Sequence, residues 1–153
     1  RMDLLKQYVV FALESEQVAL PLSVVERVVQ AVETKRLPGA PDVVMGVINV
    51  EGRVIPVMDM RMRFGLPTQE IVPEMQFIIA LANERIVALV VDAVIGVVEP
   101  HATDVIQGEH ILSDMAQVEG VIKLSDGMIL IHCLDRFLSL SEVKVLDDVL
   151  KEL

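Results

Sequence analysis

The chain carries the same pattern twice. Residues 7–29, QYVVFALESEQVALPLSVVERVV, align without a gap, 69 positions along, on residues 76–98, QFIIALANERIVALVVDAVIGVV. Gln7, Val18, Ala19, Leu20, Val25, Val28 and Val29 meet identical residues, and Tyr8, Val9 and Val10 meet Phe77, Ile78 and Ile79. A second pair of blocks follows in the same order. GVINVEGRVIPVMDMRMRF (46–64) matches GVIKLSDGMILIHCLDRF (120–137), with a one-residue slip placed before the Gly of each hairpin. Paired blocks in one order mark a duplicated unit of roughly 60–70 residues. Two copies in one chain create a cleft between them before any chemistry is considered.

Within each copy the apolar runs are short. Segments 7–13, 18–22, 76–82 and 86–91 are rich in Val, Ile, Leu and aromatics and are bounded by polar turns, which predicts buried strands rather than helices. Residues 47–50 and 53–58, joined at Glu51 and Gly52, predict a hairpin, and 121–124 with 128–132 predict its counterpart around Ser125, Asp126 and Gly127. Helical turns follow each hairpin, at 60–64 and 135–138. The tail from 141 to 153 places Val143, Leu146, Val149, Leu150 and Leu153 at helical spacing behind a capping box begun by Ser139 and closed by Glu142. That predicts an amphipathic C-terminal α-helix packed on its own barrel. Strands this short, with turns this frequent, give a mainly β class. The expected architecture is two similar small five-stranded β-barrels, about 15–65 and 76–140, linked by 66–73. Strand exchange that carries residues 7–12 into the second barrel supplies the crossing a fused core needs.

Charge and hydropathy exclude several functions. Thirteen basic residues against twenty-three acidic ones give a net charge of −10, which repels phosphate backbones and anionic lipid, so no nucleic acid is expected as a partner. The longest nearly apolar run, 86–98, is too short for a membrane span and is interrupted by Asp92, so no direct membrane insertion is expected. No secretory pattern precedes the first strand and the single Cys133 allows no internal disulfide, which points to the cytoplasm.

The enzymatic inventory is nearly empty. His101, His110 and His132 lack metal-ligand spacing, and His132 falls within a strand pattern, as a satisfied core or edge residue would. No nucleophile elbow, phosphate loop or dinucleotide fingerprint occurs. Asp59 and Asp92 each end an apolar strand, where a carboxylate most often caps the following turn. Met58, Met60 and Met62 suit core filling, or an adaptable contact surface. No catalytic residue, metal or cofactor is expected. What remains is strand edges and a groove between copies, features that bind proteins.

The stretch GVINVEGRVIPVMDMRMRFGLP resembles the signature hairpin of the CheW-like family through Gly46, Asn49, Gly52, Pro56, Asp59 and Arg61. PLSVVERVV, the PGAP turn and RIVALVVDAV are similar to their family counterparts in the expected order, so the resemblance spans about residues 7–140. It implies a non-catalytic scaffold of two five-stranded barrels that couples chemoreceptors to a histidine kinase. The implied partners are the cytoplasmic helical tip of a chemoreceptor, held in the groove between barrels, and the kinase regulatory domain, met at the barrel ends. By position the implied partner-binding residues are Val25, Arg27 and Val28, with Gly46, Asn49, Glu51, Gly52 and Arg53 near them. Two positions depart from the family pattern. Glu51 stands where the family has Arg, and Arg27 stands where many members carry an acid, either as one inverted ion pair across the groove or as two separately solvated surface charges. The inversion points towards a specialised pathway, such as one governing pili. A regulatory domain cut from a larger kinase, or an adaptor fused to a receiver, is the alternative within the same resemblance.

Overall fold

The computed structural model describes residues 6–107 and 118–153; His110 lies outside them. Eleven strands are described in chain order: β1 Tyr8–Leu13, β2 Glu16–Pro21, β3 Val25–Gln30, β4 Val44–Val50, β5 Arg53–Met58, β6 Gln76–Ala82, β7 Arg85–Val91, β8 Ala93–Val98, β9 Val105–Gln107, β10 Val118–Leu124 and β11 Gly127–His132. Helix α1, Met60–Arg63, follows β5, and α2, Leu140–Leu150, follows the last strand. The expected mainly β class with a C-terminal helix is what forms. The two sheets, however, have five and six strands and are not closed barrels. Their orders are β3-β6-β7-β5-β4 and β8-β1-β2-β11-β10-β9.

Whole hairpins cross the seam in both directions. β1 and β2 join the sheet that contains β8 to β11, while β6 and β7 join the sheet of β3 to β5. The cause is side-chain alternation on strands that are apolar on both faces. Along β6, Phe77 and Ile79 enter the interior of the five-stranded sheet, whereas Ile78, Ala80 and Ala82 enter a central core. Along β1, Tyr8 and Val10 face the interior of the six-stranded sheet, whereas Phe11 and Leu13 face the same central core. Each exchanged hairpin is therefore buried twice, and the two halves share one core.

The duplication is visible in the pairing itself. The ladders β1 with β8 and β6 with β3 run in equivalent registers, and both slip at the same place, between Val10 and Phe11 in one and between Val25 and Arg27 in the other. The hairpins β4-β5 and β10-β11 also pair alike: Gly46 faces Val57 as Gly120 faces Ile131, and Val50 faces Arg53 as Leu124 faces Gly127. Both turns thus hold two residues, and the one-residue slip does not precede the Gly. It falls after the strands, where α1 has four residues and the corresponding 3-10 turn, Leu134–Arg136, has three. Matching Gly52 to Gly127 by identity misplaced the slip, because the turn at Ser125 and Asp126 is built without glycine. The copies also differ beside their outer edges. β9 forms a ladder with β10, whereas its counterpart near β4 is a single bridge from Lys35 to Val47.

Two caps expected from the pattern form. Asp59 accepts from the backbone N–H groups of Arg61 and Met62 at 3.0 and 3.4 Å and starts α1. Ser139 and Glu142 make the reciprocal capping box of α2, which then seats Leu146 fully in the central core. Asp92 does something else. A strand follows it, so its carboxylate instead accepts from the Glu14 N–H at 2.8 Å and from Arg61 at 2.5 Å. Arg61 is buried, ion-pairs with Glu14 as well, and Gln69 of the linker reaches the same Glu14 carboxylate at 3.3 Å. Burial opposes the Arg61 charge, but the hydrogen bonds that Arg61 donates to Glu14 and Asp92 outweigh it and raise the guanidinium pKa. This network ties α1, the β1-β2 turn and the β7-β8 corner together at the seam.

Candidate functional site

The site grows from a bulge on an edge strand. The register slip in β3 leaves Glu26 opposite no partner residue, and a bulge turns neighbouring side chains to the same side. Glu26, Arg27 and Val28 are all exposed as a result, where simple alternation would have hidden one of them. Across from them lies the β4-β5 turn. Glu51 and Gly52 have φ of 51° and 86°, the conformation of a two-residue hairpin turn matched to strand twist, and Asn49 Oδ1 accepts from the Gly52 N–H at 2.9 Å. Glycine at 52 therefore has a backbone reason. The turn holds Glu51 and Arg53 out towards β3.

Four charges alternate across this gap. Arg53 makes a two-pronged contact with the Glu26 carboxylate, its Nη1 at 3.2 Å from Oε1 and its Nη2 on Oε2. Arg27 Nε lies 3.7 Å from Glu26 Oε2, and Arg27 Nη2 donates to Glu51 Oε1 at 3.1 Å. The Arg53 hydrogen bond holds the Glu26 carboxyl below the usual carboxylate range, and Glu26 in turn raises Arg53. β3 and β4 are the two edges of their sheet and share no ladder, so these side chains span an opening that backbone hydrogen bonds leave unspanned. The Arg27 and Glu51 side chains remain 41% and 70% exposed, so the pair contributes little to folding and remains available to a partner.

The other residues singled out from the sequence are placed differently. Val25 is half-buried against the central core, and Val28 is 37% exposed, which makes Val28 the apolar side chain available beside the charges. Gly46 is buried. A Cβ there would lie 2.5 Å from the Lys35 carbonyl oxygen, so its lack of a side chain serves the close approach of that segment to β4. The structure thus brings Arg27, Val28, Glu51 and Arg53 together with Glu26, and leaves Val25 and Gly46 in supporting positions.

Sequence reasoning missed Glu26, whose role depends on the bulge. It also missed the equivalent face of the second copy. The ladder equivalence puts Ile95, Gly96 and Val97 at the positions of Glu26, Arg27 and Val28, and Leu124 and Met128 at those of Val50 and Val54. Ile95 is 55% exposed, Val97 53%, Leu124 47% and Met128 62%. At the bulge one copy carries the ion-paired Glu26 and Arg27 where the other carries Ile95 and Gly96, whereas the strand ends beside the hairpin turns are apolar in both. The signal was present in the ungapped alignment, which sets Glu26-Arg27-Val28 over Ile95-Gly96-Val97.

Among the described residues no group of three or more His, Cys, Asp or Glu converges as a metal site would, and no helix is long and apolar enough to cross a membrane. Fold and site together define a class: a duplicated, hairpin-exchanged β domain with two equivalent faces that differ at their bulges. Residues 7–142 match the CheW-like domain family, and the chain belongs to it. It is similar to the chemotaxis protein CheW of Helicobacter pylori, 25% identical over 126 residues that cover 82% of this chain and 76% of the relative. It is also similar to CheW of Klebsiella aerogenes, 23% identical over 148 residues covering 95% and 89%. The crystal structure of the scaffolding protein TtCheW from Thermoanaerobacter tengcongensis superposes with a TM-score of 0.80 at 31% identity, over 90% of this chain and 95% of that one.

Proposed function

We propose that this chain is a non-catalytic cytoplasmic adaptor that couples the helical tip of a chemoreceptor to the regulatory domain of a histidine kinase. The observation that carries the reading is the pair of equivalent faces within a CheW-like fold, charged at the bulge of one and apolar at the bulge of the other, because two unlike faces suit two unlike partners. The receptor tip is assigned to the cleft side of β3, with Val28 as apolar contact and Arg27, Glu51 and Arg53 setting the field it meets. The kinase domain is assigned to the face of Ile95, Val97, Leu124 and Met128, where an exposed apolar patch loses most by remaining in water. The inverted pair of Arg27 and Glu51 keeps the local attraction but reverses the field seen by a partner, which alters specificity more than stability. That favours a pathway with an output other than ordinary chemotaxis, such as one governing pili.

Titration calorimetry with a receptor-tip fragment and, separately, with a kinase regulatory domain tests the assignment. Val28→Asp is expected to weaken the first by about tenfold or more and spare the second, and Met128→Asp to do the reverse. Equal effects of both variants on both partners, or no effect of either, would overturn it.

A further inference from the structure

We propose that α2 is a proton-releasable strap, detached from the domain when the buried imidazole at the end of β11 takes up a proton. The proposal does not depend on which partners the adaptor binds. It begins with His132, whose side chain is fully buried and whose two ring nitrogens both lack a hydrogen-bond partner among the described residues. Phe64 stacks on the ring at 5.4 Å and 19°, and Phe137 leans on it at 5.6 Å and 52°. The imidazole is held as an apolar ring, and burial depresses its pKa from 6.5 to about 4, with Arg63 adding repulsion. The first copy puts Met58 at the same ladder position, so packing alone does not require a histidine there.

Arg63 connects that ring to the strap. Its Nε donates to the Phe137 carbonyl at 2.8 Å, its guanidinium lies over the Phe137 ring at 5.5 Å, and its Nη2 holds Glu142 of α2. Glu142 Oε1 also accepts from the Ser139 N–H at 2.9 Å, which closes the capping box. Among the described residues the imidazolium would face no free carboxylate. From α1 it meets Arg63, a like charge; from α2, Glu142, already engaged; and from the adjoining 3-10 turn, Arg136 and Asp135, the latter accepting from the Asn83 N–H at 2.9 Å. Glu119, on paired β10, acts on Tyr8.

A buried imidazolium must therefore reach water, and its covers differ in what they cost to open. β11 is held by ladders on both sides, to β10 and to β2. Phe64 caps α1 through its N–H to the Met60 and Arg61 carbonyls. The cover formed by Phe137 and α2 lifts without breaking a β ladder, since α2 is held by Leu146, by partly buried Val143, Val149 and Leu150, and by ion pairs from Glu142 to Arg63 and from Asp147 to Arg85. Acid strikes this cover by charging His132 beside Arg63, while the Arg63 hydrogen bond holds the Glu142 carboxyl below its usual range and keeps that ion pair at pH 5.

Amide hydrogen exchange on the intact chain tests the strap, with rates corrected for the intrinsic effect of pH. Lowering pH from 7.5 to 5 should increase the opening equilibrium of the α2 amides by about 30-fold, the ratio expected when a group of pKa near 4 in the closed state regains 6.5 in the open one. The β7 amides open only with the whole fold, so at both pH values they should exchange at least about tenfold more slowly than those of α2. His132→Met should abolish most of the increase. Glu142→Gln, which keeps a capping acceptor but removes the charge, should loosen α2 already at pH 7.5 while the acid response through His132 persists. Exchange of the α2 amides as slow as that of β7, an undiminished acid response in H132M, or unchanged α2 protection in E142Q would each overturn the proposal.

Discussion

Arg61 matches the family's signature hairpin, yet its place in the structure assigns it a seam-holding role, and removing it should show this as a loss of stability. The side chain is 7% exposed and pairs with Glu14 and Asp92, whose side chains are 35% and 31% exposed. Breaking a buried pair from one side typically costs about 3–5 kcal/mol, because a charge is left without a partner. Here the stranded carboxylates are a third exposed and recover part of their hydration, so Arg61→Ala is expected near the low end, about 3 kcal/mol. For a domain of this size that corresponds to a melting temperature lower by about 9 °C. Arg61→Met retains the aliphatic stem and should recover only the packing part, about 1 kcal/mol of the loss. Urea unfolding with a shared slope is the assay. If Arg61→Ala falls within about 1 kcal/mol of the parent, the network does not hold the exchanged hairpin. If it leaves stability intact and abolishes partner binding, Arg61 belongs to an interface instead.

Other perturbations have equally definite outcomes. Global stability should be insensitive to His132 above neutral pH and fall as pH drops from 6.5 towards about 4, because the unfolded chain then binds a proton that the native state excludes; the slope is at most about 1.4 kcal/mol per pH unit and the total up to about 3.4 kcal/mol, and H132M should flatten it in thermal melts across that range. Leu146→Ala removes the one fully buried α2 side chain and should cost about 2–5 kcal/mol by urea unfolding, with α2 losing protection first. Gly46→Ala would drive a methyl into the Lys35 carbonyl and should cost at least about 1 kcal/mol in the same assay. The reciprocal exchange Arg27→Glu with Glu51→Arg keeps one pair across the gap but sets an acid beside Glu26, and at these exposed positions it should unfold within about 1 kcal/mol of the parent while changing which receptor fragment binds in calorimetry.

Duplication, strand class, both hairpins and the α2 cap were all readable along the chain, because each rests on local pattern: repeat spacing, apolar runs between turns, Ser139 three residues before Glu142. The near-absence of catalytic motifs was readable for the same reason. The contact between Arg27 and Glu51 was one of two readings left open by their joint departure from the family pattern, and the fold decided for it. Tertiary structure decided the rest. A strand apolar on both faces does not say which sheet it will join, so the reciprocal exchange of β1-β2 and β6-β7 depended on burying both faces at once. The β3 bulge is a property of pairing with β6, and it alone makes Glu26 a member of the site. His132 reads as an ordinary strand residue until folding closes Phe64 and Phe137 around it, two rings brought together from different copies. Local periodicity records which faces are apolar; the assembled core determines what those faces meet.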